Sequence, residues 1–208
     1  MAEITINRHS SIRIAGDKVL YFDPWETEAA HDADFIFVTH EHYDHFSPAD
    51  IAKLAKKSTV LIAPASMQAA AQSCGLHLLA VEPGKDYEAP GIRFSAAAAY
   101  NSKNTQFHAK EKRWCGYAVT MAGECFYVVG DSEFVPEMEA VKCDTLLLPV
   151  GGTYTMAVEE AAQCAKALMP KLAIPTHYGC ITGTKQDGER FKKLLASIAP
   201  EIRVELKI

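Results

Sequence analysis

Short alternating runs of apolar and polar residues open the chain. Residues 3–9, 11–16 and 18–24 each read as a strand with one apolar face, and turn residues separate them. Residues 33–40, "ADFIFVTH", break this pattern. Phe35, Ile36, Phe37 and Val38 are apolar on both faces, which predicts a strand covered on both sides and ending where a run of histidines begins. A helix is predicted next: Ser47 can cap it, Pro48 suits its first position, Asp50 favours the positive end of its dipole, and Lys53, Lys56 and Lys57 lie toward its other end. A second strand-helix unit covers 58–65 and 66–74, closed by Gly75. After residues 91–101, the segments 114–121 and 124–131 read as a hairpin turning at Ala122-Gly123. Residues 144–152 read as a buried strand ending in a glycine loop, 155–169 as a helix with Thr155 as its cap, and 171–179 as a strand ending in a histidine. Residues 187–199 and 203–208 finish the chain. The expected architecture is α/β: two sheets packed face to face with helices outside, a four-layer αββα sandwich.

Composition narrows the picture. The 208 residues suffice for one sizeable core, so a single domain, 1–208, is expected. Hydrophobic residues at 49% and charged residues at 23% exclude a largely disordered chain. A formal net charge of −5 argues against a nucleic-acid partner bound through phosphates. No apolar run reaches bilayer-spanning length and residues 1–11 lack the layout of a signal peptide, so no membrane partner and a cytoplasmic location are expected. The six cysteines form no C-x-x-C pair and read mostly as reduced core thiols.

The candidate chemistry is concentrated in "THEHYDH", residues 39–45, which holds three of the eight histidines. In an extended loop alternate side chains point the same way, so His40 and His42 can share one metal ion while Asp44 and His45 face a neighbouring position. Asp131 and His177 each follow an apolar strand. Alone they read as a turn aspartate and a capped core histidine; beside the cluster they become candidate ligands. The metal set is thus His40, His42, Asp44, His45, Asp131 and His177, holding one or two divalent ions. Mixed imidazole and carboxylate donors suit zinc, manganese or iron. Water bound to such ions loses a proton near neutral pH, so no serine or cysteine nucleophile is needed. Asp44 and Asp131 are the candidate catalytic residues, Asp44 orienting or deprotonating the attacking water and Asp131 bridging two cations. The loop Gly151-Gly152-Thr153-Tyr154 precedes a helix and offers an anion site as one reading and a plain turn as the other. Lys103, Lys110, Lys112, Arg113 and Lys185 form a scattered basic group.

These residues resemble the metallo-β-lactamase superfamily, whose signature is H-x-H-x-D-H and whose fold is the αββα sandwich. The resemblance spans nearly the whole chain. Asp23 in "YFDPW" matches the family's early strand-end aspartate, where it implies a residue that holds a ligand by hydrogen bonds, and Asp131 and His177 match the later aspartate and histidine. The segments "GDSEFVPEM", "LLLPVGGTYTMAVEEAA" and "IPTHYG" look most like metal-dependent hydrolases related to L-ascorbate-6-phosphate lactonase. One departure stands out: where the family supplies a third histidine to the first metal, this chain has Tyr100 and Asn101. His108, several residues on, is open to a metal role, a substrate role or a solvated loop position, and Asn101 can offer a carbonyl oxygen. Asn101, His108 and Tyr154 are the candidate substrate-binding residues. His9 occupies the place of an N-terminal histidine of this subgroup, and a structural role is expected for it. The resemblance implies a metal-dependent hydrolase of a small ester, lactone or phosphoester, with a small-molecule substrate for which an anionic group is one option, and a homo-oligomer is allowed. The alternatives are a mono-iron oxidoreductase like the persulfide dioxygenases and a non-catalytic metal-binding scaffold.

Overall fold

Among residues 2–208, which the computed structural model describes, thirteen strands form two sheets. The first runs in chain order: β1 (Glu3–Arg8), β2 (Ser11–Ala15), β3 (Val19–Phe22), β4 (Ala33–Phe37), β5 (Ala55–Pro64) and β6 (His77–Val81). The second contains β7 (Lys85–Ala89), β8 (Ile92–Ala98), β9 (Cys115–Met121), β10 (Glu124–Val128), β11 (Thr145–Pro149), β12 (Leu172–Thr176) and β13 (Arg203–Val204), again in sequence order across the sheet. Four helices lie outside: α1 (Pro48–Leu54), α2 (Gln68–Gln72), α3 (Val158–Leu168) and α4 (Asp187–Ile198).

Three apolar cores separate the four layers. Between the sheets, Phe22, Phe35, Phe37 and Ile62 meet Phe94, Tyr117, Val119 and Phe126. Ile36, Val38 and Leu61, on the opposite face of the first sheet, pack on Ile51 and Leu54 of α1 and Ala71 of α2. Tyr127, Leu146 and Leu148 pack on Ala161, Ala165 and Phe191 of the outer helices of the second sheet. The two-faced run Phe35 to Val38 therefore belongs to two cores at once. Period-two alternation sends its odd positions to the inner core and its even positions to the helices.

Local chemistry sets the boundaries. Ser47 caps α1 by accepting the Asp50 N–H, and Pro48 sits in its first turn. The helix stops at Leu54 rather than running through Lys56 and Lys57. Ala55 already pairs with Ala33 in the sheet, and the Thr59 hydroxyl accepts the Lys56 N–H while donating to the Ala33 carbonyl, which draws both lysines into β5. The turn Ala122-Gly123 closes the β9–β10 hairpin with φ of 51° and 82°, the left-handed pair that a two-residue loop requires. Thr155 does not cap α3. Its N–H bonds to the Gly152 carbonyl, a bridge joins Gly151 to Ala157, and Ala157 takes the cap position. No helix of the described residues is long and apolar enough to cross a membrane.

The parallel runs β3–β6 and β10–β13 place the C-terminal ends of β3, β4, β10 and β12 along one edge of the sandwich. Gly151, in the loop after β11, lies so close to the chain end of β12 that a Cβ there would overlap the carbonyl oxygen of His177. Gly151→Ala is expected to cost about 1–3 kcal/mol through overpacking, a fall in Tm of roughly 2–4 °C per kcal/mol for a chain of this size. An unchanged melting curve would contradict this close approach.

Candidate metal centre

Apart from His108, which the loop between β8 and β9 delivers, each candidate donor follows an apolar strand or fills a turn beside one. His9 forms the β1–β2 turn, Asp23 follows β3, His40 to His45 follow β4, Asp131 follows β10 and His177 follows β12. Three of these, His9, Asp23 and His177, have positive φ of 56°, 46° and 57°. For a residue with a Cβ that conformation costs on the order of 1 kcal/mol, and surrounding bonds must hold it. The His177 N–H donates to the His9 carbonyl at 3.2 Å, so one backbone bond ties two of the three turns together.

Three overlapping groups of potential donors result, one of them Asp23 with His40 and His45; the other two share no residue. His40, His42 and His108 form one; His9, Asp44, His45 and His177 form the other, each with donor atoms within 4.8 Å of one another. Asp131 faces both. Its Oδ2 lies 3.0 Å from His177 Nε2, 3.5 Å from His108 Nε2 and 4.0 Å from His40 Nε2, while Oδ1 lies 3.4 Å from His45 Nε2. Asp44 Oδ2 lies 3.4 Å from His45 Nε2, 3.5 Å from His9 Nε2 and 4.0 Å from His177 Nε2. His40 Nε2 and His42 Nδ1 approach to 3.1 Å.

Asp23 stands behind the donors and orients them. Its Oδ1 accepts the Thr39 N–H at 2.7 Å, and its Oδ2 accepts the Thr39 hydroxyl at 2.7 Å and His45 Nδ1 at 2.8 Å. The Thr39 hydroxyl, already donating, can only accept from His40 Nδ1, 2.9 Å away. One buried carboxylate therefore places the protons of His40 and His45 on Nδ1 and leaves both Nε2 atoms turned toward the centre.

Burial and charge set the protonation states. Burial, reinforced by the neighbouring His45 charge, holds His40 well below the ordinary imidazole value. Burial lowers His42, with His108 adding to the effect, and burial lowers His9 against the pull of the Asp44 carboxylate 3.5 Å away. For His45 burial works downward too, but the charges of Asp131 and Asp23 outweigh it and raise this imidazole well above its usual value. Burial pushes the Asp23 carboxyl up, against the opposing charge of His45 and the hydrogen bonds from Thr39. Asp131 and Asp44 are held below the ordinary carboxylate range despite burial: the His177 and His45 charges act on Asp131, and the His45 and His9 imidazoles, 3.4 and 3.5 Å away, act on Asp44.

The donor set fits a divalent metal. Both ring nitrogens of His9, His108 and His177, together with His45 Nε2 and Asp131 Oδ1, are buried with no hydrogen-bond partner. Each such atom costs roughly 1–3 kcal/mol if nothing satisfies it. A cation within each donor group can take one nitrogen from each ring, and mixed imidazole and carboxylate donors suit zinc, manganese or iron.

The three candidate substrate-binding residues are placed differently from one another. His108, open to a metal or a substrate role, joins His40 and His42 in the first donor group. Asn101 joins neither group: its Oδ1 accepts the Glu133 N–H at 2.9 Å and its Nδ2 donates to the carbonyls of Asn104 and Tyr154. Tyr154 lies edge-on against Phe107 at 4.9 Å. Of the two readings of its loop the structure favours the turn, because the N–H groups of Gly152, Tyr154 and Thr155 bond within the loop to Met156 and Gly152 carbonyls. Four of the five members of the basic group are dispersed into ion pairs, Lys103 with Glu160, Lys110 with Glu137, Lys112 with Glu41 and Arg113 with Glu82. His9, expected to be structural, stands inside the second donor group, its ring centroid 3.9 Å from that of His177. The cysteines contribute nothing here. All six are free, and burial pushes Cys115, Cys143 and Cys164 up to about 12.

Residues 10–178 match the model of the beta-lactamase superfamily domain. The chain belongs to the metallo-β-lactamase superfamily. Similar curated proteins include a metal-dependent hydrolase from Staphylothermus marinus, 32% identical over 100% of this chain and 96% of its own length. Another, from Nitratidesulfovibrio vulgaris strain Hildenborough, is 34% identical over 97% of this chain and 90% of its own. The fold is shared with a metallo hydrolase from Ignicoccus hospitalis, at a TM-score of 0.81, 22% identity, and coverage of 99% and 94% of the two chains. It is also shared with a diiron β-hydroxylase from Streptomyces venezuelae, at 0.76, 10% identity, and coverage of 100% and 52%. Both structural likenesses concern the fold alone.

Asp23→Asn is expected to weaken metal retention by about 10–100-fold, the usual cost of losing a residue that orients a ligand. Titration against a competing chelator measures it; wild-type affinity in the variant would show that Asp23 orients nothing.

Proposed function

We propose that the chain is a metal-dependent hydrolase acting on a small ester, lactone or phosphoester. The observation that carries this reading is the pair of largely buried donor groups, with Asp131 between them and with His9, His108 and His177 ring nitrogens that lack any hydrogen-bond partner. His40, His42 and His108 would hold one ion, and Asp44, His45 and His177 the other, with His9 beside it. A divalent ion in such a site supplies Lewis acidity and lowers the pKa of a bound water molecule. The metal-dependent hydrolases from Staphylothermus marinus and Nitratidesulfovibrio vulgaris lend support by their descriptions.

The remaining work falls to the protein. Asp131 faces both donor groups and keeps them in register. Asp44 is the carboxylate placed to orient the attacking water, since it is only 7% exposed yet held in its charged form. Asp23 and Thr39 fix the directions of His40 and His45, so that the donors need no rearrangement during turnover. Tyr43, 67% exposed between His42 and Asp44, and Phe107, 39% exposed beside His108, offer apolar contact at the rim. This supports a substrate whose labile bond is attached to an apolar group.

The test is chelation followed by reconstitution with zinc, manganese or iron and a screen of lactones, phosphodiesters and thioesters. Hydrolysis lost on chelation and restored by one metal is expected; binding without turnover would favour a scaffold, and oxygen consumption with iron an oxidoreductase. His45→Ala is expected to lose metal and hydrolysis while keeping its circular dichroism spectrum, and retained turnover would count against the assignment. Tyr43→Ser should raise KM several-fold with little change in kcat, whereas equal kinetics would remove the apolar rim from substrate recognition.

A further inference from the structure

His108 reaches the first donor group from a segment with no regular structure of its own. Residues 102–107 are exposed and lie between β8 and β9 without a strand or helix among them. Yet His108 itself is 1% exposed, and its carbonyl accepts the Asn101 N–H at 2.7 Å, closing the segment into a loop. What holds such a loop shut is a carboxylate. Glu133, 6% exposed, turns both oxygens on the loop backbone. Its Oε2 accepts the N–H groups of Ser102 and Lys103, each at 2.8 Å, and the Ser102 hydroxyl at 2.9 Å; its Oε1 accepts the Asn104 N–H at 3.1 Å. From the other direction, the Glu133 N–H donates to Asn101 Oδ1 at 2.9 Å. Three successive backbone N–H groups converging on one buried carboxylate form a charge-assisted set, stronger than the neutral bonds Asn101 and Asn104 make to Tyr154 and Thr153.

Glu133 lies two residues beyond Asp131. Ser132, between them, accepts the Tyr100 N–H and donates to the Tyr100 carbonyl, pinning the start of the same loop. One short segment after β10 thus presents Asp131 to both donor groups and grips the loop that delivers His108.

We propose that Glu133 is a positioning residue: its carboxylate latches residues 101–108 so that His108 completes the donor group of His40 and His42. The proposal rests on the reading of these histidines as metal ligands. It explains how the chain carries its third histidine away from the strand end, where Tyr100 and Asn101 stand.

Glu133→Gln keeps the size of the side chain but sets an amide against converging donors. Zinc and manganese titrations against a competing chelator are expected to show a 10–100-fold loss of affinity for one ion and retention of the other. In a His108→Ala background the same substitution should add no further loss, because the latch acts through that ring. An additive loss would make Glu133 a general structural support and overturn the proposal. If His108→Ala releases an ion and Glu133→Gln releases none, the latch alone is wrong. If His108→Ala keeps both ions, the ligand reading of His108 falls, and the latch with it. Should the variants fail to fold, amide exchange in the unmodified protein decides: the N–H groups of Ser102, Lys103 and Asn104 should be protected at least tenfold over unstructured rates, and free exchange there would refute the latch.

Discussion

A single buried carboxylate, Asp23, is the constraint on which the centre depends. It accepts from the Thr39 backbone, the Thr39 hydroxyl and His45, and through Thr39 it governs His40 as well. Removing one partner from a buried charged set of this kind costs roughly 3–5 kcal/mol, because the remaining charge is left uncompensated. The arrangement therefore has little freedom. Two imidazoles from "THEHYDH" are held with one nitrogen tied back to the protein and the other presented forward, before any ion arrives.

The sandwich makes that rigidity affordable to build from separate pieces of chain. Apolar strands on both sides, such as β4 between Ile51 and Phe94, fix their own C-terminal ends, and polar residues placed just beyond those ends inherit the precision of the sheet. The two sheets are also bonded near the centre: Tyr117 donates to the Val38 carbonyl at 2.8 Å, and the Cys115 N–H donates to the Thr39 carbonyl. The loop that opens the signature is thereby anchored from the opposite sheet. The unfavourable backbone at His9, Asp23 and His177 is held in place by the same packing.

Much of this was legible in the sequence, for definable reasons. The two-faced run Phe35 to Val38, the Ser47-Pro48 helix start and the Ala122-Gly123 turn depend on near neighbours, and each reads directly from local pattern. The four-layer fold followed from the order of such elements. Asp131 and His177 were visible because each ends an apolar strand. The positions left open or misread depend on distant partners. His108 is delivered by a loop folded onto Glu133, and no spacing rule links position 108 to position 133. His9 depends on a backbone bond from His177 and a ring contact across the sandwich. Thr155 had the chemistry of a cap, but the bridge between Gly151 and Ala157 moved the helix start beyond it. Strand β7 escaped for another reason, since its exposed, mostly polar sequence at the sheet edge has no buried face to mark it.

The central claim is that His40, His42 and His108 on one side, and Asp44, His45 and His177 on the other, converge on metal ions across Asp131. Crystals of protein grown without chelator, with anomalous diffraction recorded on either side of the zinc, manganese and iron absorption edges, test it most directly. The account predicts an anomalous peak within coordination distance of His45 Nε2 and Asp131, and a second about 3.5–4 Å away beside His40 and His42. Density with no peak near these atoms, even after soaking in zinc or manganese, would contradict it.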